Sequence, residues 1–132
     1  MNLKVHLAVS LVLAGALFPL YGYWSFFVFA FGFFIDIDHH LWYMFHTKNL
    51  SLKKSYQFHD GHAFDSLLDR LHIFHTVEVW ILVLAFALVS TFGALLAIGL
   101  SVHLLLDFIL MFREKSYAMR TSSLIGWVVR RV

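Results

Sequence analysis

Four apolar runs, each about as long as a bilayer is thick, constrain this chain more than any other feature of its sequence. A hydrocarbon core of about 30 Å is crossed by roughly 20 residues of apolar helix. The runs extend from about Leu3 to Leu20, Tyr23 to Phe45, Ile73 to Phe92 and Ala94 to Phe112, and together cover most of the 132 residues. Pro19 and Gly22 punctuate the first junction and Gly93 the last, so each pair of runs reads as a helical hairpin. A soluble domain carries roughly 45–50% apolar residues. This chain has 61%, with a mean hydropathy of +0.78. The sequence therefore predicts an all-α integral membrane bundle of four transmembrane helices, forming a single domain over residues 1–132. A cleaved leader is the rival reading of the first run, because Lys4 precedes it. His6 interrupts that run and no polar mature domain follows, so a retained helix is expected.

One substantial polar loop, residues 47–70, separates the hairpins, and a basic tail, residues 113–132, closes the chain. A short amphipathic helix is expected over the later half of the loop. In the tail, Leu124, Trp127 and Val128 alternate with Arg120, Arg130 and Arg131, a pattern suited to lying on a membrane surface. Lysine and arginine near helix ends concentrate on the cytoplasmic side. Lys4 stands before the first run; Lys48, Lys53, Lys54 and Arg70 lie in the loop; Arg113, Lys115, Arg120, Arg130 and Arg131 follow the last run. The two opposite turns carry none. Both termini and the loop are thus expected to face the cytoplasm.

Imposing that topology places the ionisable residues at one depth. His6 falls just inside the first helix, Asp36, Asp38, His39 and His40 near the end of the second, His72, His75 and Glu78 at the start of the third, and His103 and Asp107 in the last third of the fourth. An ionisable group inside a membrane costs several kcal/mol unless it is paired, lines a cavity or binds a metal. Residues three or four apart share a helix face. On that rule Asp36 faces with His39 and His40, His75 with Glu78, and His103 with Asp107, so three helices each offer an imidazole and a carboxylate. With no cysteine in the chain, such a donor set suits zinc first, manganese or iron next, and its several carboxylates allow more than one ion. Asp38 falls on a different face from Asp36 in a regular helix. Either the helix unwinds there, or Asp38 acts from behind the ligands or as a base. His46, His59 and His62 lie at or beyond the interface, where solvated histidine is unremarkable, and spacing assigns no role to His40 or His72.

In chain order these residues read as an early His6, Asp36-Ile37-Asp38-His39, His75-Thr76, and His103 four residues before Asp107. This series resembles the YdjM-like membrane-bound metal-dependent hydrolases along nearly the whole chain. That family is in turn similar to the zinc-dependent phospholipases C and single-strand nucleases. The resemblance implies phosphoester hydrolysis by metal-activated water. His6, Asp36, His39, His75, His103 and Asp107 would be metal ligands, Asp38 or Glu78 the general base, and Lys53 and Lys54 contacts for a substrate phosphate near the cytoplasmic leaflet. Membrane lipid and a small-molecule or lipid phosphoester are the expected partners; nucleic acid is not.

Two other classes fit the same residues. A metal-ion transporter or sensor would also place histidine and aspartate in a membrane. A conduit, however, needs polar groups through the full thickness, and the far halves of the four runs carry only Ser10, Ser25, Ser90 and Thr91. A bundle held together by a structural metal would bind ions without turnover.

Overall fold

A computed structural model of the chain describes residues 3–60, 71–114 and 121–132. Every regular element among them is helical. The helices are α1 (Leu3–Tyr21), α2 (Phe26–Phe33), α3 (Ile37–Thr47), α4 (Leu52–Asp60), α5 (Val77–Ala87), α6 (Thr91–Glu114) and α7 (Leu124–Val129). Tight 3-10 turns occupy Gly22–Ser25, Phe34–Asp36 and Ile73–His75.

Pro19 sits in the last turn of α1, and Gly22 follows at φ +55°, in the left-handed region that glycine enters without a Cβ penalty. The chain reverses there, and α1 packs back along α2 so that Ser10 meets Gly32. α2 also lies against α6: the ring of Phe27 stands edge-on to Phe92 at 4.8 Å, and Gly99 lies against the Val28 carbonyl. α5 returns antiparallel to α6, with Trp80 Nε1 donating to Ser101 Oγ at 2.9 Å.

α5 is 11 residues long, shorter than the third apolar run. It ends where the N–H groups of Leu88 and Val89 bond the carbonyls of Ala85 and Phe86, and α6 starts at Thr91, before the glycine that was expected to mark the turn. Gly93 instead lies inside the first turn of α6. A Cβ there would stand 2.5 Å from the Phe86 carbonyl oxygen, so the glycine permits the close approach of α5.

Two helical stretches are long and apolar enough to cross a membrane, Leu3–Thr47, which folds back on itself at Gly22, and Thr91–Arg113. The distribution of polarity is the reverse of a soluble protein's. Among the described residues the buried side chains include seven apolar ones, such as Val28, Leu95 and Leu100, against twelve polar or charged ones. Large apolar side chains meanwhile face outward on every long helix: Val12 is 73% exposed, Leu82 68% and Phe108 60%.

Two peripheral segments complete the fold. α4 occupies the earlier half of the polar loop and rests on α3 through Phe58, whose ring meets Tyr43 at 5.4 Å and Trp42 at 6.1 Å. The helix expected over the later half, with His62, Asp65 and Asp69, lies outside the described residues. The C-terminal segment docks on the start of α5. Val77 N–H donates to the Ser122 carbonyl at 2.9 Å, and Arg131 stacks over Trp127 at 4.0 Å.

Candidate metal centre

The Phe34–Asp36 turn settles how two aspartates share one side. In a regular helix residues two apart are rotated by about 200°. Here a 3-10 turn ends at Asp36 and α3 starts at Ile37, so the winding changes between them, and both carboxylates reach His39 and His75. The helix unwinds at this point, one of the two possibilities the spacing left open. Before α5 a comparable break acts in the other direction. His75 closes a 3-10 turn and Thr76 is extended at φ −87°, ψ 149°, which ends any helical register between His75 and Glu78. The shared face predicted for that pair does not form.

Asp36, His75, His103 and Asp107 are all buried, and one ligand atom from each lies within 4.8 Å of every other. His75 Nε2 and His103 Nε2 are 3.0 Å apart. Asp36 Oδ1 lies 3.3 Å from the first nitrogen and 3.4 Å from the second; Asp107 Oδ2 lies 3.5 Å and 3.7 Å away from them. The ring orientations follow from what the opposite nitrogens do. His103 Nδ1 donates to the Gly32 carbonyl at 3.0 Å, and a carbonyl can only accept. His75 Nδ1 donates to Asp38 Oδ2 at 3.0 Å, an oxygen that also takes the Phe74 N–H at 3.0 Å. In the neutral rings both Nε2 atoms therefore carry lone pairs, pointed at each other across a gap too short for two acceptors. A shared proton or a cation relieves that contact.

The carboxylate beside them favours the cation. Neither oxygen of Asp36 has a hydrogen-bond partner although both are buried, a costly state for an ionised group unless a positive charge is adjacent. A divalent ion among the four side chains satisfies Asp36 and both imidazoles together. Histidine ligands held from behind by a carboxylate or a carbonyl are the usual arrangement at such ions. The donor set fits zinc, manganese or iron.

A second group of Asp38, His39 and His72 adjoins the first, with ligand atoms from each again within 4.8 Å. His39 Nδ1 donates to Asp38 Oδ1 at 2.8 Å, and its ring stacks on His72 with centroids 3.7 Å apart. His59 stands beside both rings, at 5.2 Å from His39 and 5.6 Å from His72. Its Nδ1 donates to the Ser55 carbonyl at 2.9 Å. Spacing gave no reason to enrol His72 or His59. The signal available was proximity to His75 for the first and helical i to i+4 geometry from Ser55 for the second, and neither is specific.

The other expected site residues fall as follows. His6 is buried against Asp107, with Nε2 3.3 Å from Oδ1, and its ring packs on His103 at 4.3 Å. It braces one ligand from α1 and is not among the four converging side chains. Glu78 stands apart from the cluster: it accepts from Ser123 Oγ at 2.6 Å, from Leu124 N–H at 2.9 Å and from Ile125 N–H at 3.1 Å, and so ties down the start of α7. Lys53 and Lys54 are exposed on α4. His46 stacks on Trp42 at 4.2 Å.

Because Asp38 holds both His75 and His39 by their Nδ1 protons, Asp38→Asn is expected to leave the chain folded and weaken metal affinity by about 10–100-fold, the usual effect of losing such a bracing group. Titration with a competing chelator measures it; unchanged affinity would dissociate Asp38 from the centre. Comparisons with protein-family models, with curated proteins and with solved structures find no match for this chain.

Proposed function

We propose that the chain is a membrane-bound, metal-dependent hydrolase of a phosphoester, built as four membrane-crossing helical runs with both termini and the polar loop on the cytoplasmic side. The observation that carries the metal is the pair of inward Nε2 atoms 3.0 Å apart beside an Asp36 carboxylate without a donor. Support for the membrane comes from the outward apolar side chains around a polar interior. The charge partition supports the orientation. For the reaction class, the support is the resemblance of the motif series to the YdjM-like hydrolases together with the hard oxygen and imidazole donors.

Asp36, His75, His103 and Asp107 would hold one ion, and Asp38, His39 and His72 stand where a second could bind. Bound there, a divalent ion supplies Lewis acidity, lowering the pKa of a water and polarising a phosphoryl oxygen. The chain's own contributions are orientation and exclusion. Asp38 and the Gly32 carbonyl fix the tautomers of His75 and His103, and His6 steadies Asp107. On the far side the buried Val28, Leu95, Leu96 and Leu100 close the interior with apolar packing. That closure favours a centre approached from one end over a transport path. Lys53 and Lys54, exposed on α4, would meet anionic phosphate at the membrane surface.

The test is release of phosphate or alcohol from lipid and soluble phosphoesters by the metal-replete, detergent-solubilised protein. Turnover that disappears with chelation and in Asp36→Asn is expected. A metal-loaded protein that hydrolyses no phosphoester would leave binding without catalysis as the better reading.

A further inference from the structure

The chain's single proline is Pro19, so no proline stops α5 from beginning at Ile73, where its apolar run begins. In a helix that began there, the Val77 N–H would donate to the Ile73 carbonyl, four residues back. In the structure that carbonyl instead takes the Thr76 N–H at 3.2 Å and Thr76 Oγ1 at 2.8 Å, while the Val77 N–H turns to the Ser122 carbonyl at 2.9 Å. The C-terminal segment therefore occupies an amide whose bond would carry the helix back through His75. Glu78 answers from the other side. Its Oε1 accepts from Ser123 Oγ and the Ile125 N–H, and its Oε2 from the Leu124 N–H. Each helix start thus receives its acceptor from the other segment, Val77 of α5 from Ser122 and the first residues of α7 from Glu78. The first N–H groups of a helix have no partner within it, and leaving them unbonded in apolar surroundings is costly.

We infer that the C-terminal segment is a latch that holds His75 in its ligand geometry, with Glu78 as the positioning residue that keeps the latch closed. The inference rests on the metal reading of the Asp36, His75, His103 and Asp107 cluster, and gives Glu78 a part other than the general base implied by the resemblance. The break at Thr76 is what aims His75. With Thr76 extended at ψ 149°, His75 Nδ1 reaches Asp38 at 3.0 Å and Nε2 comes within 3.0 Å of His103 Nε2. A helix continued through Thr76 needs ψ near about −42°. That rotation, one residue from His75, would swing its ring away from both partners. Ser122 and Glu78 hold the two residues that follow Thr76, Val77 and Glu78 itself, and so oppose it.

The experiment joins hydrogen exchange of the metal-free protein to cobalt(II) titration, in wild type, Glu78→Ala and Glu78→Gln. In Glu78→Ala the amides of Val77 and of residues 124–126 should exchange faster, cobalt affinity should fall about 10–100-fold, as for other groups that orient a ligand histidine, and the visible spectrum should change as a nitrogen donor is lost. Glu78→Gln keeps an oxygen for the two bonds made by Oε1 and should recover most of both affinity and spectrum. Should Glu78→Ala fail to fold, Ser123→Ala removes one of the three donors and should lower affinity about two- to tenfold, the effect of one hydrogen bond. Wild-type affinity and spectrum in a Glu78→Ala protein whose tail amides exchange freely would overturn the inference. So would tail amides still protected in that variant, a Glu78→Gln as impaired as Glu78→Ala, or an unchanged Ser123→Ala. A folded wild type that takes up no cobalt would instead count against the metal centre itself.

Discussion

Detergent-purified wild-type protein is expected to carry at least about one divalent ion per chain by elemental mass spectrometry, and His103→Ala and Asp107→Ala to carry close to none. His103 contributes an Nε2 that faces His75 at 3.0 Å and is held by the Gly32 carbonyl through its other nitrogen. Alanine removes both the ligand and its anchor. Asp107 contributes Oδ2 to the same centre while His6 supports Oδ1 from behind. Neither change should unfold the helices, because the apolar exterior and the packing of α2 on α6 at Gly99 and at Phe27–Phe92 remain; circular dichroism checks that. Metal retained in both variants would place the ion elsewhere. A folded wild type that takes up no ion even on reloading would mean that a proton joins the two imidazoles, and that the cluster is a hydrogen-bonded polar core.

Gly99→Ala is expected to destabilise the bundle by about 1–3 kcal/mol, the range for overpacking at a tight contact. A Cβ on Gly99 would lie 2.5 Å from the Val28 carbonyl oxygen and 3.1 Å from the Gly32 nitrogen. Both neighbours are backbone, so the strain can be relieved only by moving α2 away from α6. Such a shift also pulls the Gly32 carbonyl from His103, and metal affinity should fall with stability. Gly15 is the internal control. Nothing lies within 4 Å of a Cβ there, and Gly15→Ala in the middle of α1 should be neutral or gain up to about 1 kcal/mol from helix propensity. Thermal unfolding in detergent, followed with and without added zinc, separates the two effects. Equal stability of Gly99→Ala and wild type would show that the helices adjust without cost.

The helical class and most of the inward polar set were legible before any fold was known, for one physical reason. Apolar length and helical period are local properties, and an ionisable residue inside an apolar run has few inexpensive places to go. Asp36, His75, His103 and Asp107 follow from that logic. What the sequence could not convey is how far each regular helix persists. The period-based pairing of His75 with Glu78 assumed one continuous helix; the extended Thr76 breaks it, and Glu78 turns away to hold Ser123 and α7. The unwinding at Phe34–Asp36, which brings Asp38 beside Asp36, could be posed from spacing but not decided by it. His72 and His59 join the second group only because a turn before α5 and a short helix over the loop bring remote segments onto α3. Sequence alone thus determined that polar groups had to gather inside an apolar helical protein. Only the tertiary structure decided which of them meet, because that depends on backbone breaks and helix contacts whose energies are set by packing between distant segments.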